Sequence, residues 1–412
     1  MYRYGSPYDH KPIHDAHPQQ DLALGLFRSD YMVHLDQSAK ETSTSIKQVE
    51  FNTIASSFGG LSTKVSTMHR YLASINAYPP ASESIIKTSA LPPSTSVPSL
   101  ARGLAEGHRA YGAAKSGRPL CVLFLVQTPE RNVFDQRHLE FALLENHGVR
   151  AFRLPFHDIM QDTKLDDNRT LIYSPPHNAD HSFEVSVVYF RAGYSPSDYK
   201  GDVDWQARLH VERSAAIKCP NILTHLAGSK KVQQVLATPH SPHLGHFLPD
   251  KAKAAEVLKT FAPIYPLDQS EAGKEAKKLA QNPETAQRYV LKPQREGGGN
   301  NVYRKAIPEF LKSQPESHWP AHILMEMIEP PALTNTIFRN GEMQKGGVIG
   351  ELGVYGTCLW RCQMDYGSHK GVKEMLHNQQ AGYLLRTKGD QSEEGGVAAG
   401  FGAVDSVCLV SV

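Results

Sequence analysis

Apolar and polar residues alternate from Ile46 to Asn52, which predicts a strand with Gln48, Glu50 and Asn52 on one face and Val49 and Phe51 on the other. After Phe58-Gly59-Gly60, apolar residues recur at helical spacing through Leu61, Val65, Met68 and Leu72, predicting a helix with that stripe in the core. Residues 73–98 are rich in proline and serine and read as a surface insertion or long loop. A second helix follows, with Ser99 as its N-cap and Leu100, Leu104 and Tyr111 on its buried face.

The unbroken apolar run Leu120 to Val126, a helix ending near Gly148 and a strand from Val149 to Leu154 form a βαβ pattern, continued by a strand from Val185 to Phe190. This predicts a small α/β domain with a parallel sheet. Helices rich in Ala, Lys and Glu fill roughly 251–287 and give way to strands ending at Lys292, Ile328 and about Tyr355, an α+β arrangement. No internal repeat of solenoid length is visible.

The 412 residues leave room for about two or three domains. Forty-four Lys and Arg against 42 Asp and Glu give a net charge of +2, which excludes a broad nucleic-acid-binding surface. Five scattered cysteines argue against a disulfide framework and for a reducing compartment. The longest apolar run is too short to span a bilayer and the first residues lack a signal pattern, so the expectation is a cytoplasmic protein without a membrane partner. The triplets His10, His14, His17 and His240, His243, His246 lie among prolines without a carboxylate at helical spacing, poor metal ligands.

The apolar run Tyr289-Val290-Leu291 leads into Lys292-Pro-Gln-Arg-Glu296, the glycines Gly297, Gly298 and Gly299, and Asn300 and Asn301. Glycines let successive backbone N–H groups converge on one anion, Lys292 can hold phosphate oxygens, and Glu296 can hold the Mg²⁺ that accompanies ATP. Taken alone the stretch also fits a surface loop. Neither the P-loop nor the dinucleotide-binding glycine pattern occurs, so a nucleotide site here belongs to another architecture.

The chain resembles the eukaryotic-type glutathione synthetases, ATP-grasp ligases. The resemblance rests on Lys47 to Thr53, Glu130 to Gln136, Tyr189 to Tyr194, Leu226 to Gln234, Leu291 to Asn301, Leu324 to Pro330, Glu351 to Gly353, Leu384 to Lys388 and Gly395 to Gly400, in the family's order. It implies an ATP-grasp fold with an inserted small parallel-sheet substrate-binding domain and a helical part. The corresponding divisions are an unmatched tail 1–20, an N-terminal part 21–118, a substrate-binding α/β domain 119–228 and a C-terminal part 229–412.

It further implies ATP- and Mg²⁺-dependent ligation of γ-glutamylcysteine to glycine through an acyl phosphate, in a homodimer. By resemblance Glu50, Asn52 and Glu296 hold Mg²⁺. Glu50, Lys230, Lys292, Glu296, Gly297 to Asn301, Tyr303, Met325, Glu326, Met327, Ile328, Glu351, Lys388 and Glu394 bind ATP. Arg28, Ile54, Ala55, Ser56, Ser57, Glu130, Arg131, Asn132, Gln136, Arg191, Ala192, Gly193, Tyr194, Arg386, Val397 and Ala398 bind substrate.

Arg28, Lys292 and Arg386 are the implied catalytic residues, because acyl-phosphate chemistry is limited by placement and charge neutralisation. Positioning supplies roughly 7–11 kcal/mol and a well-aimed donor at a developing oxyanion about 3–4 kcal/mol. Ala55, Ala192 and Met327 stand where the family carries polar residues or lysine. Members of the family also carry a further N-terminal part, so a second reading is an impaired homologue that binds ATP or substrate, or pairs with a full-length subunit, without turnover.

Overall fold

The computed structural model describes residues 20–36, 43–79, 82, 85–178, 180–296, 299–339, 341–363, 371–391, 397 and 402–410. Their strands form three sheets. The largest is antiparallel and runs in the order β16 (Gly402–Asp405), β15 (Val372–Gly389), β14 (Glu342–Cys362), β1 (Leu22–Asp36) and β2 (Ser43–Asn52), with β13 (Leu333–Arg339) also paired to β14. The second runs β4 (Ala151–Pro155), β3 (Leu120–Val126), β7 (Phe183–Phe190), β6 (Leu171–Tyr173) and β5 (Thr163–Leu165), with β8 (Ile217–Cys219) beside β7. The third runs β11 (Val302–Tyr303), β10 (Tyr289–Pro293), β12 (His322–Glu326) and β9 (Ile264–Pro266).

The second sheet corrects the expectation of a purely parallel one. β3 is parallel to β4 and β7, and β7 to β8, but β6 runs antiparallel to both β5 and β7. Antiparallel neighbours need only a tight turn, and Asp166 builds it by accepting from the backbone of Asn168 and Thr170. Strands of three residues are too short to announce themselves by alternation.

The helix Gly59–Ser74 also departs from expectation. Its buried residues are Gly59, Gly60, Ser62 and Ser66, while Met68 on the apolar stripe is exposed. Small residues let this helix approach the helix Ser96–Tyr111 and the segment before it. Ser66 Oγ donates to the Pro92 carbonyl at 3.1 Å, and Ser62 Oγ reaches Ser96 Oγ at 3.5 Å. The end of the Pro/Ser-rich segment is therefore packed inside, with Leu91 and Ser96 buried. The second helix starts at Ser96 with Thr95 at the N-cap position, four residues before the expected cap Ser99.

One core cluster joins the large sheet to the second sheet through these helices, with Leu24, Leu26, Leu104, Phe124, Leu143, Tyr189, Tyr355 and Leu384 at its centre. Each such leucine contributes roughly 1.5–3 kcal/mol by leaving water. On the third sheet, Leu291 and Leu324 pack outward against Ile307 and Leu311, whereas Val290, Ile323 and Met325 pack on the opposite face with Ile328. The third sheet's inner face and the large sheet bound the site.

Candidate functional site

Strand register sets one wall. Arg28 lies opposite Asn52 on β2 and Tyr355 on β14, Asp30 lies opposite Glu50 and Gly353, and Glu351 lies opposite Arg386 on β15. Because alternate strand residues share a face, Glu50 and Asn52 project the same way, and both line a cavity of about 920 Å³. The facing wall comes from Val290 and Lys292 on β10, Tyr303 on β11, and Met325 to Ile328 at the end of β12. Lys230, first residue of the helix Lys230–Ala237, enters from the side.

At one end, cations and carboxylates are interleaved. Lys230 Nζ lies 3.8 Å from Glu50 Oε2 and 3.6 Å from Glu296 Oε1, and donates to the Arg295 carbonyl at 3.0 Å. Lys292 Nζ donates to the Val49 carbonyl at 3.1 Å. Burial opposes charge on Glu50, but Lys230, Lys292, Arg386 and Arg28 overcome it and hold its pKa down at about 2. Burial wins at Glu296, whose pKa is raised despite Lys230.

The other end is built around arginines. Arg28 donates through Nε and Nη2 to both oxygens of Asp30, at 2.6 and 2.8 Å, and through Nη1 to the Ser57 carbonyl at 3.1 Å. Arg386 Nη2 donates to Asp30 Oδ2 at 2.9 Å and to Glu351. Burial and the Asp30 and Glu50 carboxylates push the Glu351 carboxyl up, against the pull of Arg386. Burial alone would lower the pKa of Arg28, but Asp30 raises it.

Arg28, Glu50, Asn52, Ile54, Ala55, Ser56, Ser57, Tyr194, Lys230, Lys292, Glu296, Asn300, Asn301, Tyr303, Met325, Glu326, Met327, Ile328, Glu351, Arg386, Lys388 and Val397 line the cavity. Gly299, at φ 70°, uses the left-handed conformation open to glycine, next to Asn300 on the wall. Glu130, Arg131, Asn132, Gln136, Arg191, Ala192 and Gly193 stand behind it. Arg191 supports the wall from there, donating to the Ser56 carbonyl at 2.8 Å and to Ser57 Oγ at 2.7 Å. Gln136 is buried and accepts from Arg153 at 2.8 Å, Glu130 caps the Asn132 backbone at 2.8 Å, and Arg131 is exposed. Gly193 donates to Asp198 at 2.9 Å, and Ala192 is fully buried. Gly297, Gly298, Glu394 and Ala398 lie outside the described residues.

Sequence reasoning missed Asp30, the acceptor shared by both arginines, and the wall residues Arg295, Arg304 and Asp390. The signal for Asp30 was its spacing: two positions beyond Arg28 on a strand puts it on the same face. Lysines held in such a cavity suit phosphate-sized anions, which points to the class of phosphate-binding, nucleotide-using enzymes.

Comparison with known proteins supplies the particular family. The model of the eukaryotic glutathione synthase ATP-binding domain matches residues 8–409. The glutathione synthetase large chain of Schizosaccharomyces pombe is 40% identical over 405 residues, 95% of this chain and 76% of that protein. The chloroplastic glutathione synthetase of Solanum lycopersicum is 41% identical, covering 97% and 67%, and glutathione synthetase of Homo sapiens 38%, covering 96% and 77%. The chain belongs to the eukaryotic glutathione synthases, ligases with an ATP-binding domain. A solved glutathione synthetase-like effector of Globodera pallida, in its apo form, shares the fold, with a TM-score of 0.68 at 21% identity over 97% of this chain and 81% of that one.

Proposed function

We propose that this protein joins the cysteinyl carboxylate of γ-glutamylcysteine to the amine of glycine, converting ATP to ADP and phosphate. The observation that carries the proposal is a cavity with lysines and carboxylates at one end and a pair of arginines at the other. The reading places ATP between the third sheet and the large sheet, as in an ATP-grasp enzyme, with residues 119–228 as the substrate-binding domain. Met325 and Ile328 offer apolar walls to a flat base, while Lys230 and Lys292 hold phosphate oxygens.

The donor set fits Mg²⁺. Among the described residues no three His, Cys, Asp or Glu side chains gather into a cage. Glu50 and Glu296 share Lys230, and Asn52 lies 3.4 Å from Glu50. Two carboxylates and an amide suit an ion that takes its remaining oxygens from water and phosphate. When bound, Mg²⁺ supplies charge neutralisation on the phosphate oxygens.

A substrate carboxylate oxygen attacks the γ-phosphorus, ADP leaves, and an acyl phosphate forms. The glycine amine then attacks the acyl carbon, phosphate departs and the amine loses its proton. Arg28 and Arg386 offer fixed donors to the charge that collects in both steps. Burial opposes charge on Arg191, but Tyr189, Asp135 and Glu130 outweigh it, and this cation holds the Ser56–Ser57 wall beside Tyr194, where the dipeptide is read to bind.

The protein is further read as cytoplasmic and homodimeric. Its five cysteines are free, no helix among the described residues is long and apolar enough to cross a membrane, and Phe134, Phe141 and Leu144 on the helix Val133–His147 are exposed. The decisive experiment is phosphate release from ATP by the purified protein. Release that requires both γ-glutamylcysteine and glycine supports the ligase. Binding of ATP without such release favours the impaired homologue instead.

A further inference from the structure

We propose that Asp30 is a positioning residue for this reaction, a buried clasp that fixes the spacing and tilt of the Arg28 and Arg386 guanidinium groups toward the reacting carboxylate. The inference rests on the ligase reading above and adds to it a residue that touches no ligand. Asp30 is 0% exposed and does not line the cavity. Its two oxygens receive Arg28 Nε at 2.6 Å, Arg28 Nη2 at 2.8 Å, Arg386 Nη2 at 2.9 Å and Asn52 Nδ2 at 3.0 Å.

Side chains from three strands thus converge on one carboxylate. Two guanidinium groups brought together in a site of low polarity repel each other, and one shared anion between them removes that cost while dictating their geometry. The bidentate contact uses one edge of Arg28, Nη1 is held on the Ser57 carbonyl, and the guanidinium so fixed lines the cavity. Arg386 Nε is buried with no acceptor among the described residues, so this guanidinium is held through Nη2 alone, by Asp30 and Glu351.

Gly353 provides independent support. It faces Asp30 across the β1–β14 pairing, and a Cβ there would lie 2.7 Å from Arg28 Cδ and 2.7 Å from Asp30 Oδ1. Its backbone is outside the left-handed region, so space for the clasp, not conformation, requires the glycine. Asn52 adds a donor from the metal end, which ties the spacing of the arginines to the strand that carries Glu50.

Steady-state kinetics on the full chain tests this, comparing wild type with Asp30→Asn, Gly353→Ala, Arg28→Ala and the Asp30→Asn, Arg28→Ala double variant. Asp30→Asn is expected to lower kcat by about 100-fold, the scale of a misplaced catalytic group, with the KM for ATP unchanged. Gly353→Ala, which keeps every charge but crowds the pair, is expected to show the same split. In the Arg28→Ala background, Asp30→Asn is expected to cost little more, because the two act as a unit. Wild-type kcat in Asp30→Asn, or full additivity with Arg28→Ala, overturns the clasp.

A second readout needs no turnover. The Arg28 Nε–H resonance, assigned by its loss in Arg28→Lys, is expected to exchange slowly with solvent in wild type and quickly in Asp30→Asn. Slow exchange in both overturns the clasp even if wild type proves inactive, an outcome that would count against the ligase reading alone. Should Asp30→Asn fail to fold, Gly353→Ala decides: a wild-type kcat overturns the proposal and the kcat-only loss supports it.

Discussion

Lys230 and Glu296 face each other at 3.6 Å, and Glu50 lies 3.8 Å from the same ammonium. One cation thus separates two carboxylates that would otherwise repel. Lys230→Met is expected to raise the KM for ATP and to make the melting temperature rise with added Mg²⁺ alone, as the divalent ion takes over the vacated role. Thermal unfolding with and without MgCl₂ checks this, and a variant as indifferent to Mg²⁺ as wild type would contradict the arrangement.

Glu296→Gln keeps the shape of the side chain and removes the charge. Turnover is expected to fall on the order of 100-fold or more, and the Mg²⁺ concentration giving half-maximal rate to rise. Coupled ADP release across a magnesium titration measures both, and unchanged turnover would refute the metal assignment.

Asp135 anchors the loop that carries Ile54 to Ser57. Its carboxylate accepts from the backbone of Phe58 at 2.8 Å, Gly60 at 2.7 Å and Leu61 at 3.0 Å, and from Asn132 Nδ2 at 3.1 Å. Asp135→Ala leaves these donors at a buried helix start and is expected to cost about 2 kcal/mol. Denaturant unfolding reads the loss. The KM for γ-glutamylcysteine should rise more than that for ATP, since the loop lies at the arginine end.

Lys218, 3% exposed on β8, donates to the Ser214 carbonyl at 2.9 Å. Burial lowers its pKa from 10.5 to about 8, with Glu212 opposing and Arg208 reinforcing the shift. Between those two pH values the unfolded chain keeps a proton that the folded chain has released. Stability is therefore gained as pH rises from about 8 toward 10.5, and below 8 the burial penalty is constant. The gain is expected to vanish in Lys218→Met; urea midpoints at pH 7, 8 and 9.5 compare the two slopes.

Much of the site was legible because strand alternation is local. Glu50 and Asn52 share a face by spacing alone, and both reach the cavity wall. β1 was harder to read: Leu22 to Leu26 are all buried, since both faces of that stretch are covered, and a strand buried on both sides shows no alternation. The helix Gly59–Ser74 misled for the opposite reason. Its fully buried face is made of Gly and Ser, while Leu61, Val65 and Leu72 are half-buried and Met68 is exposed, so the apolar stripe marks the margin of the packed face and not its centre. Spacing puts Asp30 beside Arg28, but its second guanidinium partner, Arg386, lies 356 positions further on, and no local pattern reveals that one carboxylate serves both.

That separation has a consequence for biosynthesis. β1 and β2 take their places in the large sheet only when β14 and β15 are available to pair with β1 and to close the wall. During translation β1 and β2 must wait, unpaired on that edge, until β14 and β15 emerge about 300 residues later, while the second sheet, built from Leu120 to Cys219, can assemble earlier. Contacts of such high sequence separation fold slowly. The growing polypeptide therefore has no arginine pair and no acyl-transfer centre until its last strands are made, and the early strands are the segment most in need of chaperone cover.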